Sequence, residues 1–192
     1  MLTNKERLIE QFTRLITIDS PTLGERQIAD YLKSELTALG LTVQEDDAGE
    51  RLGGTSGNLY GFLEGDSSLP PLLLGSHMDT VEPSSGKRAI LENGVLHSEG
   101  STVLGADDCS GIAAILETLR VIQEQKLNHR PVEVLFTIAE EIYCKGAEQF
   151  DFSRVRSKEA YVLDYSGPAG TAAYQAPTIL SFTAVVHGLA SH

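Results

Sequence analysis

Cationic side chains are scarce in this sequence: 15 Lys and Arg stand against 27 Asp and Glu, a formal charge of -12. That sign argues against nucleic acid or an anionic membrane surface as a partner. Cysteine is nearly absent. Cys109 and Cys144 lie in unrelated surroundings and form no zinc-ribbon or redox spacing, so two free thiols are expected and no disulfide framework. Long apolar runs are missing as well. The start, Met1 to Arg7, is charged and leads into an amphipathic pattern, with no stretch suited to a signal peptide or a spanning helix, which predicts a cytoplasmic location. What is present, 41% hydrophobic and 22% charged residues over 192 positions, suffices for one full domain with a sizeable core, or one domain and part of another. No internal repeat or low-complexity segment is visible.

The chain is organised around Leu72 to Thr80, where an apolar run after Pro70-Pro71 reads as a central strand and ends by delivering His77 and Asp79. Alternation places those two side chains on one face. Upstream, Leu8, Ile9, Phe12, Leu15 and Ile16 form the stripe of a packing helix over residues 4 to 18. Thr22-Leu-Gly-Glu25 has the form of a capping box for a second helix, with Ile28, Leu32, Leu36 and Leu39 facing the core and Gly40 ending it. Leu41 to Glu45 and Asn58 to Leu63 read as strands, with Ala48 to Gly57 as a loop between them. Asn93-Gly94 marks the turn of a hairpin within Ile90 to Leu96.

A long helix follows Asp107 and Asp108, keeping apolar spacing from Ile112 to about Gln125. At a helix start, either Asp can be a simple cap. Val132 to Ala139 is a strong strand that stops at Glu140-Glu141, and Ala160 to Leu163 is another that stops at Asp164. Acids after one strand are an ordinary solvated loop. Three strands separated by helical segments, each releasing His or carboxylate, suggest a mostly parallel α/β sheet whose strand ends share one polar basin, and in such sheets ligands bind beyond the carboxyl ends of the strands.

His77, Asp107, Glu141 and Asp164 are hard oxygen donors with one imidazole, a set suited to Zn(II), Mn(II) or Co(II). A carboxylate can bridge two metals that activate a water between them. Of the adjacent acids, one can be a ligand while Glu140 moves a proton from water to a leaving amine, and Asp79 can orient the His77 ring. Hydrolysis of an amide is the reaction class this suggests. A metal phosphoesterase should also show a cationic phosphate clamp, and none stands among these motifs.

The motifs His77-Met-Asp79-Thr, Gly105-Ala-Asp107-Asp108, Glu140-Glu141, Asp164 and Gly-x-x-x-His192 resemble, in order and spacing, the dinuclear zinc aminopeptidases and deacylases that include peptidase T, carboxypeptidase G and succinyl-diaminopimelate desuccinylase. The wording around His77 and Asp107 is most similar to the peptidase T-like branch. From Gly167 the texture changes to Gly, Ala and Pro, Tyr174 to Thr178 reads as a domain boundary, and Thr178 to Val186 alternates like a half-exposed strand. With the resemblance this implies a three-layer, mostly parallel α/β catalytic domain over about residues 1–175 and the start of an α+β lid and dimerisation domain over 176–192. The resemblance implies two Zn(II), with Co(II) or Mn(II) as substitutes: His77 and Asp164 on one, Asp107 bridging, Glu141 on the second. It further implies Glu140 as general base and acid, Asp79 as the orienting group, Asp108 as neighbour or cap, and His192 as a lid residue steadying the substrate carbonyl.

The expected function is removal of the N-terminal residue from short peptides, tripeptides foremost, with a homodimer possible through the lid domain. The rivals are an N-acyl amino acid deacylase of the same family and a catalytically incompetent fragment. Departures from the branch are Cys109-Ser in place of Lys-Ala after the Asp pair, Ile142 to Lys145 where a Gly often follows the Glu pair, and the absence of the remaining zinc histidine, which makes the chain read as an N-terminal portion.

Overall fold

A computed structural model describes residues 3–176, 178, 180 and 182–188. The first helix, α1 (Lys5–Ile16), starts where the Asn4 side chain accepts a hydrogen bond from Arg7 N, which satisfies one of the amides a helix start leaves open. Of the predicted stripe it buries Phe12, Leu15 and Ile16, while Leu8 and Ile9 are half-buried. Helix α2 (Arg26–Ala38) buries Ile28, Ala29, Leu32 and Leu36 and ends at Gly40, whose φ of 85° is a left-handed value that glycine adopts without a Cβ penalty. Strands β1 (Thr42–Glu45), β2 (Leu59–Leu63), β3 (Leu72–His77), β6 (Val132–Thr137) and β7 (Ala160–Val162) form one sheet in the order β1-β2-β6-β3-β7. Strands β6, β3 and β7 are mutually parallel, and β2 runs against both β6 and β1, so four of the five strands point one way. This is a mostly parallel α/β sheet.

Alternation divides the sheet residues between two faces. Leu59, Leu63, Val132, Val134 and Phe136 join the buried residues of α1, α2 and α4 (Ala106–Gln125) in the main core. Tyr60, Leu73 and Leu135 point to the other face, where Phe150, just after the short helix α5 (Lys145–Gln149), covers them. Among the described residues, then, the three long helices form one layer and a thinner third layer starts with α5 and a 3-10 turn at Phe152–Arg154. Strand β6 carries buried side chains on both faces, which is why its sequence is a continuous apolar run broken only by Glu133. Glu133 is fully buried and accepts hydrogen bonds from the Tyr60 hydroxyl, Arg156 N, Ser157 N and the Ser157 hydroxyl, tying β6 to the segment that leads into β7. No helix among the described residues is long and apolar enough to cross a membrane.

The structure differs from the sequence-based expectations at several points. The middle strand is β6, with β3 one place toward the edge, because β7 is the only described strand beyond β3. Residues 48–57 hold a five-residue helix, α3 (Ala48–Leu52), closed at Gly53 with a φ of 73°, which is too short to show a helical period. The capping box is not formed: neither Thr22 nor Glu25 caps α2, and both side chains reach other parts of the chain. Between Thr178 and Val186 no described residue lies in a strand; Ile179 and Ser181 lie outside the described residues, as does His192. The predicted hairpin is present as β4 (Ala89–Glu92) and β5 (Val95–Ser98), with Asn93 and Gly94 both at positive φ, as its two-residue turn requires.

Candidate metal centre

Because β3, β6 and β7 are parallel, their carboxyl ends open on one side of the sheet, and the N-terminal end of α4 meets them there. His77 is the last residue of β3 and is 2% exposed. Its Nε2 lies 2.9 Å from Asp107 Oδ1 and 3.9 Å from Asp164 Oδ2, and its Nδ1 lies 3.4 Å from Asp79 Oδ1. One donor atom each from His77, Asp107 and Asp164 fall within 4.8 Å of one another, and the same holds for His77, Glu140 and Glu141. The two groups share His77. Six of the seven residues singled out in the sequence therefore converge on one spot, and the seventh, His192, lies outside the described residues.

The two adjacent aspartates do different things. Asp107 is open to solvent and faces His77. Asp108 is buried, with Oδ2 accepting from the Ser76 hydroxyl at 2.6 Å and Oδ1 from Gly111 N at 3.0 Å, so it caps the first regular turn of α4 and ties that turn to β3. Gly111 is required there, since a Cβ would sit 2.5 Å from Asp108 Oδ2 and 2.6 Å from Leu163 O. Cys109 is packed in the core, and burial pushes its thiol up to about 12, so the soft side chain beside Asp107 is an inert one.

Asp79 is fully buried one step past the strand. Beyond facing the His77 ring, it accepts from Glu140 N at 2.9 Å, Glu141 N at 3.2 Å and the Thr22 hydroxyl at 2.9 Å. The ring was expected as its main partner; most of its hydrogen bonding instead goes to the turn carrying the two glutamates. Residues missed in the sequence reading complete that turn. Asn58 Oδ1 accepts from Ile138 N and Glu25 Oε1 from Ala139 N, both at 3.0 Å. The sequence marks Glu25 only as a capping-box residue and Asn58 only as the start of a strand, because the bonds each makes here span more than 70 positions of sequence.

The electrostatics of the cluster call for a cation. Burial raises the Asp164 and Glu141 carboxyls, and neighbouring carboxylates (Asp107 and Glu140 for both, Asp79 also for Glu141) push them further, against the lowering effect of His77. Burial pulls the His77 pKa down, but the surrounding Asp79, Asp107 and Asp164 outweigh it and lift it to about 10. Hard oxygen donors around one imidazole, with the Asp164 and Glu141 carboxyls and the His77 ring held above their ordinary pKa values, fit a divalent metal ion.

The chain is similar to known peptidases. The model of Peptidase family M28 matches residues 58–175. Peptidase T of Escherichia coli (strain K12 / DH10B) is 29% identical over 205 residues, covering 84% of this chain and 48% of that protein. The crystal structure of a tripeptidase from Staphylococcus aureus subsp. aureus mu50 is 37% identical with a TM-score of 0.85, over 87% of this chain and 45% of that one. Aminopeptidase PepT from Bacillus cereus ATCC 10987 is 36% identical with a TM-score of 0.85 and the same shares, 87% and 45%. The chain thus spans about half the length of the relatives it matches.

Proposed function

Because the chain belongs to peptidase family M28, we propose that the protein hydrolyses the first peptide bond of short peptides, tripeptides foremost, with two divalent metal ions, zinc in the first instance. The observation that carries this reading is the pair of donor groups sharing His77, one with Asp107 and Asp164, the other with Glu140 and Glu141. The names of the Staphylococcus aureus and Bacillus cereus neighbours, a tripeptidase and an aminopeptidase, support the substrate class.

In this reading His77 and Asp164 would hold one ion and Glu141 the other, and Asp107, the most open of the carboxylates, would be a ligand available to both. Such ions, when bound, supply Lewis acidity to a water and to the scissile carbonyl. Glu140 is the proton carrier: a carboxylate oxygen takes a proton as the water attacks and delivers it to the leaving nitrogen. Asp79 holds the backbone of Glu140 and Glu141 through their amides and faces His77 Nδ1, so it sets the direction of three groups at once. His192 contacting the substrate carbonyl, a homodimer formed through the residues after 176, and a cytoplasmic location belong to the same proposal.

The test is Glu140→Ala, assayed for release of the N-terminal amino acid from a tripeptide, with metal content measured in parallel. Turnover should fall by at least about 100-fold, the usual contribution of a placed proton carrier, while two ions per chain are retained. Wild-type turnover in the variant removes Glu140 from the mechanism. Cleavage of N-acyl amino acids without peptide cleavage by the wild type moves the substrate to the deacylase class.

A further inference from the structure

The segment leaving β6 makes an irregular turn from Ile138 to Gly146, and this turn presents both glutamates. Four successive amides in it are bonded to side chains from elsewhere in the chain. Ile138 N goes to Asn58, Ala139 N to Glu25, and Glu140 N and Glu141 N to Asp79. The turn closes on itself through Cys144 N to Glu140 O at 2.8 Å and Lys145 N to Ala139 O at 2.9 Å. Gly146 lets the two arms meet, since a Cβ there would stand 2.0 Å from Ile138 O.

Glu25 is the least expected member of this set. It stands at the start of α2, where a carboxylate ordinarily caps its own helix, yet it makes no cap bond. It is fully buried, and its Oε1 is shared between Leu23 N at 2.8 Å and Ala139 N at 3.0 Å. Both of those residues have positive φ, 67° for Leu23 and 52° for Ala139, values that side chains with a Cβ rarely adopt and that persist where surrounding bonds hold them. Burying a carboxylate with its other oxygen lacking a hydrogen-bond partner among the described residues costs free energy that capping alone would not require. The same short turn supplies Thr22 to Asp79, and Ser20 O accepts from Thr80 N at 2.9 Å, so residues 20–25 brace both the His77 strand end and the glutamate turn.

We propose that Glu25 is a positioning residue: by accepting from Ala139 N it locks the left-handed residue before the glutamate pair and so aims Glu140 and Glu141 into the metal centre. The proposal rests on the roles assigned to those two glutamates above. What Glu25 contributes is an oxygen acceptor, so the amide oxygen of a glutamine can substitute for it.

The experiment uses the full-length protein and three variants, Glu25→Gln, Glu25→Leu and Asn58→Leu. The readouts are zinc affinity by competition titration, amide hydrogen exchange at residues 138–141, and kcat and KM on a tripeptide. Expected for Glu25→Leu is a fall in affinity for the more weakly held zinc, and in kcat, of about 10- to 100-fold, the range found when a group supporting metal ligands is lost. KM should change little, and exchange at Ala139 should accelerate. Glu25→Gln should restore zinc affinity and slow exchange, and Asn58→Leu should accelerate exchange at Ile138.

Wild-type zinc affinity and exchange in a folded Glu25→Leu overturn the proposal, as does a Glu25→Gln no better than Glu25→Leu. Should Glu25→Leu fail to fold, the wild-type protein decides: its Ala139 amide must exchange as slowly as those of β6, and fast exchange there overturns the assignment. Zinc affinity and exchange are read without turnover, so a protein that cleaves no peptide would refute the proposed function and leave this test standing.

Discussion

Glutamate 133 offers a sharp test of what joins the sheet to the segment leading into β7. Its carboxylate is buried in β6 and takes four donors: the Tyr60 hydroxyl and Arg156 N on one oxygen, Ser157 N and the Ser157 hydroxyl on the other. Burial pushes its pKa up, but the bonds from Arg156, Ser157 and Tyr60 outweigh that and hold it below the ordinary 4.5. Glu133→Gln keeps the shape and one acceptor oxygen, but turns the other into an NH2 that must face the N–H of either Arg156 or Ser157, donor against donor. Hydrogen bonds to a charged group contribute about 1.5–3 kcal/mol each and a buried unpaired donor costs about 1–3 kcal/mol; since these effects overlap, a net loss of about 2–4 kcal/mol is expected. At about 2–4 °C per kcal/mol for a chain of this size, the melting temperature should drop by about 5–15 °C at neutral pH. The sign of the pH dependence follows from the depressed folded pKa. The stabilisation is fully present above the unfolded value of 4.5 and is lost as pH falls through the lower folded value. Thermal unfolding followed by far-UV circular dichroism at several pH values should therefore show a constant gap between wild type and variant at neutral pH that narrows in acid. A variant that melts with the wild type, or a gap unchanged down to acid pH, would refute this account.

The paired aspartates should separate cleanly: Asp107→Asn should weaken metal binding while leaving the stability of the metal-free protein within about 1 kcal/mol of wild type, since the ion pair lost with His77 is offset by relief of the repulsion with Asp164 and Glu141. Asp108→Ala should instead lower metal-free stability by about 1–3 kcal/mol through the lost Ser76 and Gly111 bonds, measured by the same melts. Chelation should lower the melting temperature, and zinc at 100 times its dissociation constant should restore about 2.7 kcal/mol. With His77 lifted to about 10 in the metal-free protein, an ion must displace its proton below that pH, so apparent zinc affinity should rise about tenfold per pH unit near neutrality. Calorimetry in buffers of different ionisation enthalpy reads that proton release directly, and none detected at pH 7 would show the imidazole already neutral there and refute the raised pKa of His77.

Periodicity carried the fold a long way. The stripes of α1 and α2, the helical run after Ile112, the apolar strands ending at His77, near Glu140 and at Asp164, and the Asn93-Gly94 hairpin all have local causes: side-chain direction repeats every 3.6 residues in a helix and every two in a strand. Where the reading failed, the deciding interaction was remote. Thr22 and Glu25 have the spacing of a capping box, and only the fold shows the Thr22 hydroxyl on Asp79 and Glu25 on Ala139, 57 and 114 positions away. The short helix within residues 48–57 carries too few turns to leave a pattern. The placing of β6 at the centre depends on which strands pair, which alternation within one strand does not encode.

For the metal centre the division is similar. The amino-acid sequence by itself determined the donor types and the strand or helix end from which each emerges, because an apolar run must stop where its buried face stops, and the residue after it is free to be polar. Only the tertiary structure decided that three of those ends meet on His77, that Asp107 faces the imidazole while Asp108 turns inward to cap α4, and that Asn58, Glu25 and Asp79 take the amides of the turn holding Glu140 and Glu141. Those outcomes rest on the parallel pairing of β3 with β6 and β7, which brings residues far apart in sequence within hydrogen-bonding distance, and a buried polar group takes whichever partner the packed fold brings to it.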